Sequence, residues 1–305
     1  MFMSESVKEM DMTPACPRRR QLVSVIIPVH NAAATLGQQL KALKEQEFDG
    51  SWEVVAVDNQ STDDSATVIR QYQQQMPQLR FVQATDKQTA AYARNVGARA
   101  AKGDVFLFCD ADDVVAPGWL AALADALEQH DFVAGTMDVE LLNESKVWRP
   151  EPCNWATRRN LGFLPFSGGA LMGLSREAFE RVGGFNEEAP IGEDVELSWR
   201  LQLQGYLLHP VPDAVVHYRY RETQQAKWKQ HVRYGEAHVY LYAQFASHGM
   251  PRPSIKAVIH KYLEIVSMLS LVLNGNKMLK EQLLRKAALC WGRVRGSLAH
   301  RTLYL

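Results

Sequence analysis

The sequence lacks several features that define well-known classes of protein. Its four cysteines are scattered and form no CxxC pair, which argues against a zinc site and against a disulfide framework. Lys and Arg together number 34, as do Asp and Glu, so no positive excess indicates a nucleic-acid partner. No predicted strand is followed by GxGxxG or GxxxxGK(S/T), so a dinucleotide-binding fold or a P-loop is not expected.

Long apolar runs are also missing. A bilayer-spanning helix needs about 20 mostly apolar residues, and the nearest candidate, residues 265–273, is too short and follows Lys261 and Glu264. We expect this segment to be a buried helix. Residues 1–20 are polar, carry a run of three arginines and have no apolar signal core, which favours a mobile tail and a cytoplasmic protein.

Strand and helix patterns alternate through the first hundred residues. Short runs rich in β-branched residues predict strands, and helical spacing of apolar or small residues predicts helices between them. The predicted strands are residues 22–27, 52–57, 79–82 and 105–109. This order with short links predicts an α/β fold with a mostly parallel central sheet flanked by helices.

Polar clusters follow three of these strands, at residues 28–31, 58–61 and 110–113. Parallel sheets bind ligands outside the carboxyl ends of their strands, so we expect the three clusters to converge on a cleft. Asp110 and Asp112 lie on the same side of an extended segment, and buried carboxylates need a partner. A divalent cation such as Mg²⁺ or Mn²⁺ is one candidate, and a solvated turn that caps the next helix is the alternative.

Several blocks of sequence, in their order and spacing, resemble family 2 glycosyltransferases of the GT-A fold. The blocks are residues 23–31, 57–65, 93–97, 103–104, 110–113, 167–170, 183–186 and 193–200. The resemblance covers roughly residues 21–220. It implies a GT-A-like sheet and an inverting transfer of a sugar from a nucleotide-sugar donor.

The resemblance also implies roles for individual residues. The nucleotide sugar would be bound by Pro28, His30, Asn31, Asp58, Arg94, Asp110 and Ala111. Asp58 would accept a hydrogen bond from the base, most often uracil. The ligands of a Mn²⁺ or Mg²⁺ cofactor would be Asp112, Asp110 and His217, the catalytic base would be Asp194, and the acceptor side would include Gly168, Gly169 and Glu193.

The chemistry of transfer needs these residue types. A divalent cation neutralises charge on the leaving diphosphate, and a separate carboxylate takes the proton of the attacking hydroxyl. Structural alternatives remain open at the same positions. Asp194 could stabilise the start of a helix, His217 could be a core or edge histidine, and Arg94 could pair with an acidic side chain at the surface. The two glycines could form a plain turn.

The chain divides into predicted regions of different character. They are a flexible tail over residues 1–20, a catalytic domain over 21–222 and a helical C-terminal region over 223–305. Within the catalytic domain, residues 21–115 would form the nucleotide-binding half and residues 116–222 the acceptor half. The C-terminal region contains predicted helices over residues 227–245, 254–273 and 277–298.

The end of the chain is basic. From Asn276 onward there are seven Lys or Arg and one Glu, interleaved with apolar residues. This pattern predicts either a peripheral membrane contact or a helical cap on the catalytic domain with a solvated basic face, and the two are compatible. Processive synthases carry a QxxRW motif at the corresponding place. Residues 224–228 lack its arginine, so we expect one sugar to be transferred per encounter.

The predicted function is therefore metal-dependent transfer of one sugar, from a UDP-sugar to an acceptor hydroxyl, in glycan, polysaccharide or glycolipid synthesis. The acceptor, for which a lipid-linked glycan is one candidate, would face the segment 140–165, which contains Trp148, Trp155 and Phe163. These aromatic residues could equally belong to the core. The expected location is cytoplasmic, at the inner face of the membrane if the basic helices bind it. Two alternatives stay open: a sugar-nucleotide nucleotidyltransferase and a non-catalytic nucleotide-sugar-binding protein.

Overall fold

The computed structural model describes residues 22–143, 156, 159–189, 191–272 and 277–305. The predicted tail over residues 1–20 lies outside the described residues, as do Trp148 and Trp155. The strands are β1 (Val23–Val29), β2 (Trp52–Asp58), β3 (Leu79–Gln83), β4 (Val105–Phe108), β5 (Val114–Val115), β6 (Phe132–Asp138), β7 (Met172–Ser175) and β8 (Leu208–His217). The helices are α1 (Leu36–Lys44), α2 (Ser65–Gln73), α3 (Ala90–Ala100), α4 (Trp119–Leu127), α5 (Arg176–Arg181), α6 (Glu193–Leu203), α7 (Gln224–Phe245), α8 (Ile255–Val272) and α9 (Lys277–Ala299).

These eight strands form one sheet in the order β3-β2-β1-β4-β7-β6-β8-β5. Strands β1 to β4 are parallel, as the sequence predicted, so their carboxyl ends share one edge. Strand β7 runs antiparallel to β4 and β6, and β5 runs antiparallel to β8. The predicted α/β fold is therefore confirmed. Four of the seven strand pairings are parallel, including β6 with β8, and the antiparallel ones all lie in the second half of the sheet. This mixed half brings the end of β8 beside the turn that follows β4.

Helices cover both faces of the sheet. Successive strand residues point to opposite faces, so Val25 and Ile27 of β1 pack with α1 and α4, whereas Ile26 packs with α3, α5 and α6. A strand that is buried on both faces needs apolar residues at nearly every position. This explains why the first strands are continuous apolar runs.

The C-terminal helices pack against α6 and the loops beside it. Trp199 of α6 and Phe245 of α7 belong to one buried cluster, with their ring centroids 5.2 Å apart. Helices α7 and α9 cross so closely that a Cβ at Gly235 or Gly292 would lie 2.2 or 1.9 Å from a backbone oxygen of the other helix. The cap was one of the two arrangements predicted for the basic end of the chain.

Helix α8 contains most of the segment 265–273 that was predicted to be a buried helix. The prediction is right only in part, because Met268 is buried and Val266 is 61% exposed. Within the ranges that the structure describes, no helix has the length and apolar character needed to cross a membrane.

Helix α3 packs unusually close to the sheet, and Gly97 makes this possible. A Cβ at Gly97 would lie 2.5 Å from Cγ2 of Ile26 and 2.9 Å from Cγ2 of Val57. We therefore expect Gly97→Ala to lower the free energy of unfolding by roughly 1–3 kcal/mol. In the matched control Gly37→Ala in α1, the new Cβ would meet nothing nearer than 3.8 Å. The control should gain about 0.5–1 kcal/mol, because alanine favours the helix.

Denaturant unfolding of the two variants measures this difference. Equal free energies of unfolding for Gly97→Ala and Gly37→Ala would contradict the close approach of α3 to β1 and β2.

Candidate active site

Asp58 lies at the carboxyl end of β2, opposite Val29 at the end of β1. It is 6% exposed, and its Oδ1 has no hydrogen-bond partner within the described parts of the chain. The same is true of Oδ1 of Asn59, whose side-chain amide donates to the Thr89 carbonyl oxygen at 2.8 Å. Buried acceptors are normally paired. These two oxygens are therefore available to the donor groups of a ligand.

The loops after β1 and β2 are joined by hydrogen bonds. Nδ1 of His30 donates to the Asn59 carbonyl oxygen at 2.8 Å. Asn31, with φ of +49°, accepts a hydrogen bond at its side-chain oxygen from the Thr62 backbone N–H at 2.8 Å. Pro28 is half-buried just before this loop. The two loops therefore meet at one edge of the sheet, as the parallel strand order predicted.

Arg94 of α3 connects the turn after β4 with the start of α6. Its guanidinium donates to Oδ1 of Asp110 and to Oε1 of Glu193, both at 2.8 Å. The residue is 4% exposed and lies over the ring of Phe185. Arg94 thus does pair with acidic side chains, but in the interior and not at the surface. A Cβ at Gly169 would lie 2.6 Å from its Nη2, so the guanidinium fits only against a glycine.

The turn after β4 brings three carboxylates together. Oxygens of Asp110, Asp112 and Asp113 all lie within 4.8 Å of one another. Ala111 between them is buried, and its carbonyl oxygen accepts a hydrogen bond from Oγ1 of Thr35 at 3.1 Å. Hard divalent cations prefer such oxygen ligands, so the donor set suits Mg²⁺ or Mn²⁺.

The electrostatics of this turn also suit a cation. Burial and the negative charge of Asp110 raise the pKa of Asp112. Burial together with Asp110 and Asp112 raises the pKa of Asp113 well above its usual range. Asp113 is 1% exposed, and its Oδ2 has no hydrogen-bond partner among the residues that can be described. A bound cation would relieve this repulsion and pair the free oxygen.

Two arginines that sequence reasoning missed contact the same turn. Nη1 of Arg221 donates to Oδ2 of Asp112 at 3.0 Å. The backbone N–H of Arg219 donates to Oδ1 of Asp113 at 2.9 Å. Both arginines follow β8, in a run where tyrosine and arginine alternate. That run of basic and aromatic residues after a strand was the available signal.

His217 ends β8, beside the turn that contains Asp110, Asp112 and Asp113, which is called the acidic turn below. Its Nδ1 lies 2.6 Å from Oδ2 of Asp138, the last residue of β6, and can donate to it. Histidine ligands of metals usually donate their second ring nitrogen to a carboxylate in this way, although a structural histidine could make the same contact. Within the described residues, the side chains close enough together to share one ion are Asp110, Asp112 and Asp113, and His217 is not among them. Its role as a ligand stays a prediction.

Asp194 lies in the first turn of α6, across Arg94 from the acidic turn. Its Oδ2 accepts from the Gly169 backbone N–H at 3.0 Å, and its Oδ1 accepts from the Val195 N–H at 2.8 Å. The residue that caps α6 is Gly192, so Asp194 is not the cap. Burial, and then Glu193, raises the pKa of Asp194 to about 6. A carboxylate with this pKa is mostly ionised at neutral pH and can accept a proton.

The other residues predicted on the acceptor side make structural contacts. The Gly168 carbonyl oxygen accepts from the Leu171 N–H at 3.0 Å, which forms a turn. Tyr234 of α7, which sequence reasoning also missed, has a pKa raised to about 12 by burial and by Asp194. Phe163, predicted as either acceptor-lining or core, packs edge-on against Trp199 at 5.1 Å between ring centroids. Phe163 therefore belongs to the core.

Known protein families match this chain over most of its length. The family model described as glycosyl transferase family 2 matches residues 24–183, and the model for glycosyl transferase family group 2 matches residues 105–274. An uncharacterized glycosyltransferase of Haemophilus influenzae is 29% identical over 186 residues, which cover 59% of this chain and 62% of that protein. Chondroitin synthase of Escherichia coli is 25% identical, over 70% of this chain and 37% of that protein. The chain thus spans less than two thirds of the length of these curated relatives.

Two solved structures share the fold. The mannosyltransferase PcManGT from Pyrobaculum calidifontis, in complex with GDP-Man and Mn²⁺, superposes with a TM-score of 0.67 at 22% identity. That match covers 95% of this chain and 90% of the other. TarS of S. aureus in complex with UDP-GlcNAc gives a TM-score of 0.56 at 17% identity and covers 93% of both chains. At these identities the likeness establishes the fold alone.

Proposed function

Because this chain belongs to glycosyl transferase family 2, we propose that it moves one sugar from a nucleoside diphosphate sugar to an acceptor hydroxyl and inverts the anomeric centre. The observation that carries the proposal is the division of the site's carboxylates by Arg94. On one side Arg94 contacts Asp110 of the acidic turn, and on the other it contacts Glu193, the neighbour of Asp194. One carboxylate group can thus serve a cation while the other serves the acceptor.

The nucleotide is proposed to bind along the edge formed by β1, β2 and β4. Asp58 would accept a hydrogen bond from the base through its unpaired Oδ1. The nucleoside would contact Pro28, His30, Asn31 and Ala111, and Arg94 and Asp110 would lie beside the ribose or diphosphate. We propose a UDP-sugar as the donor. The solved relatives bound GDP-Man and UDP-GlcNAc, which supports a nucleoside diphosphate sugar as the substrate class.

A Mn²⁺ or Mg²⁺ ion is proposed as the cofactor. Asp112 and Asp110 would hold it. The buried Oδ2 of Asp113 and Nε2 of His217 are further candidate ligands. The ion would supply Lewis-acid neutralisation of the diphosphate charge. The Mn²⁺ bound to PcManGT supports this assignment by likeness of fold.

Asp194 is proposed as the general base. The acceptor oxygen attacks the anomeric carbon from the face opposite the diphosphate, and the bond from that carbon to the diphosphate oxygen breaks. The bond electrons leave with the nucleoside diphosphate, and the hydroxyl proton passes to the Asp194 carboxylate. The N–H groups of Gly169 and Val195 hold the carboxylate in place. Gly168, Gly169 and Glu193 would border the acceptor.

The acceptor is proposed to be a hydroxyl of a glycan or glycolipid, for which a lipid-linked glycan is one candidate. The enzyme would then work in the cytoplasm, with its C-terminal helices at the inner face of the membrane.

A panel of nucleotide sugars tests the proposal. Each donor is added to the full chain with Mn²⁺, with Mg²⁺ or with a chelator, while thermal stability and nucleoside diphosphate release are measured. We expect one donor to stabilise the protein and to be slowly hydrolysed only when a divalent ion is present. Pyrophosphate release from a nucleoside triphosphate and a sugar phosphate would instead indicate a nucleotidyltransferase. Stabilisation without turnover, with every acceptor tried, would indicate a binding protein.

A further inference from the structure

Helix α8 exposes an apolar stripe. Its members are Ile255 at 79% exposed, Ile259 at 54%, Leu263 at 62% and Val266 at 61%. The intervals of four, four and three residues place these side chains on one face of the helix. Single exposed apolar residues are ordinary on a protein surface, but a continuous row of them marks a contact site.

The opposite side of α8 is already in use. Met268 is buried, and Glu264 forms an ion pair with Lys286 of α9. Lys261 lies close to Cys290 of α9, and burial lowers the pKa of its ammonium group. Because α8 is fixed to α9 through these contacts, the stripe is the outward face of a packed helix.

Basic side chains flank the stripe among the residues that the structure describes. Arg252 precedes the helix at the surface, and Lys256 and His260 are exposed along the edge of the stripe. The one acidic side chain of α8, Glu264, forms an ion pair with Lys286 of α9. An apolar row beside cations is the arrangement with which helices lie in the headgroup layer of an anionic bilayer.

A second copy of the chain fits this surface less well. Four aliphatic side chains offer well under the ~800 Å² that each partner buries in a stable interface. A twofold contact over the stripe would also bring Arg252 and Lys256 of both copies into one interface, where like charges repel. A bilayer has neither requirement.

We propose that the stripe of α8 is the membrane-docking surface of this protein and that it lies in the interface of an anionic bilayer. The basic sequence pattern had placed the membrane contact in the last predicted helix. In the fold, however, α9 buries Leu283, Ala288 and Cys290. Among its described side chains it exposes two large apolar ones, Trp291 and Leu298, whereas the stripe of α8 has four. The inference deepens the proposed membrane contact, and its test requires no transferase activity.

The test is flotation of the full chain with vesicles of phosphatidylcholine containing about 30% phosphatidylserine. We expect the wild type to float, and the double variant Ile259→Glu with Leu263→Glu to lose at least about tenfold in bound fraction. Both positions are exposed, so the variant should fold. The matched control is Leu203→Glu with Leu207→Glu, which adds the same charge at exposed leucines 41% and 80% accessible. The control should float like the wild type.

Further measurements distinguish membrane docking from dimerisation of the protein. Binding of the wild type should fall on pure phosphatidylcholine and at high salt, since the cationic edge contributes. Equal flotation of the wild type and the α8 variant would overturn the proposal, as would failure of the wild type to float. A dimer in sedimentation that the α8 variant abolishes would also overturn it, in favour of a second copy. Donor hydrolysis, measured without vesicles, should be the same in all three proteins and reports on the transfer reaction separately.

Discussion

Replacing Asp194 by Asn is expected to abolish sugar transfer while donor binding stays close to that of the wild type. The amide keeps the size of the carboxylate and can still accept the hydrogen bond from the Gly169 N–H, but it cannot take a proton at neutral pH. The loss of a positioned general base typically costs about 10²–10⁴-fold in rate. The measurements are kcat for transfer and the dissociation constant of the donor.

The pH profile gives a second readout of the same residue. The pKa of Asp194 is raised to about 6 by burial and then by Glu193, against the opposing effect of Arg94. The base works when ionised, so the wild-type rate should rise with pH through about 6 and level off above 7, falling about tenfold per pH unit on the acid side. The residual rate of Asp194→Asn should lack this limb.

Asp213→Asn is the control for this substitution, because Asp213 is an exposed aspartate on β8. It should leave both the rate and the pH profile unchanged. Unaltered transfer by Asp194→Asn, in a protein that still unfolds like the wild type, would remove Asp194 from the mechanism.

Replacing Asp112 by Asn should uncouple donor binding from the divalent ion. An amide oxygen is a weaker ligand than a carboxylate, and the substitution removes one negative charge from the cluster with Asp110 and Asp113. Loss of a residue that only supports a metal ligand typically costs about 10–100-fold in metal affinity. We expect the loss of the ligand itself to lower Mn²⁺ affinity by at least this much. Donor affinity in Mn²⁺ should then equal the wild-type value measured with a chelator.

Calorimetric titration of Mn²⁺, and of donor with and without Mn²⁺, measures these quantities. Asp213→Asn again provides the control, since it removes the same charge at an exposed position of β8. If the wild type binds donor as tightly in chelator as in Mn²⁺ or Mg²⁺, Asp112 has no role through a metal.

The parts of the fold that local pattern determines were predictable. The apolar runs of β1 to β4 and the helices between them require parallel strands, which alone bring Asp58 and Asp110 to one edge. The predicted C-terminal helices also agree with α7, α8 and α9 to within a few residues. Pro251 and Pro253 interrupt a sequence whose apolar pattern is otherwise helical, and so mark the break between α7 and α8. These features depend on neighbours in sequence.

Features that depend on distant partners were not predictable. Arg94 and Glu193 are 99 residues apart, and Arg221 and Asp112 are 109 apart, so no local pattern pairs them. The reversal of β7 and the mixed half of the sheet likewise follow from how the second half of the chain packs back onto β4. The exposed stripe of α8 is also invisible in sequence, because its apolar residues alone suggest burial.

Arg221 supplies the acidic turn with an internal counterion through its ion pair with Asp112. An external cation that binds this carboxylate competes with the guanidinium for its negative charge, which weakens the hold of Arg221 on its anionic partner. The diphosphate of a donor would offer a new one at the same place. Cation and donor are therefore expected to be heterotropic ligands of one another, each tightening the other's binding by the same factor. The ion pair would therefore lower the affinity of the site for a divalent cation when no donor is bound.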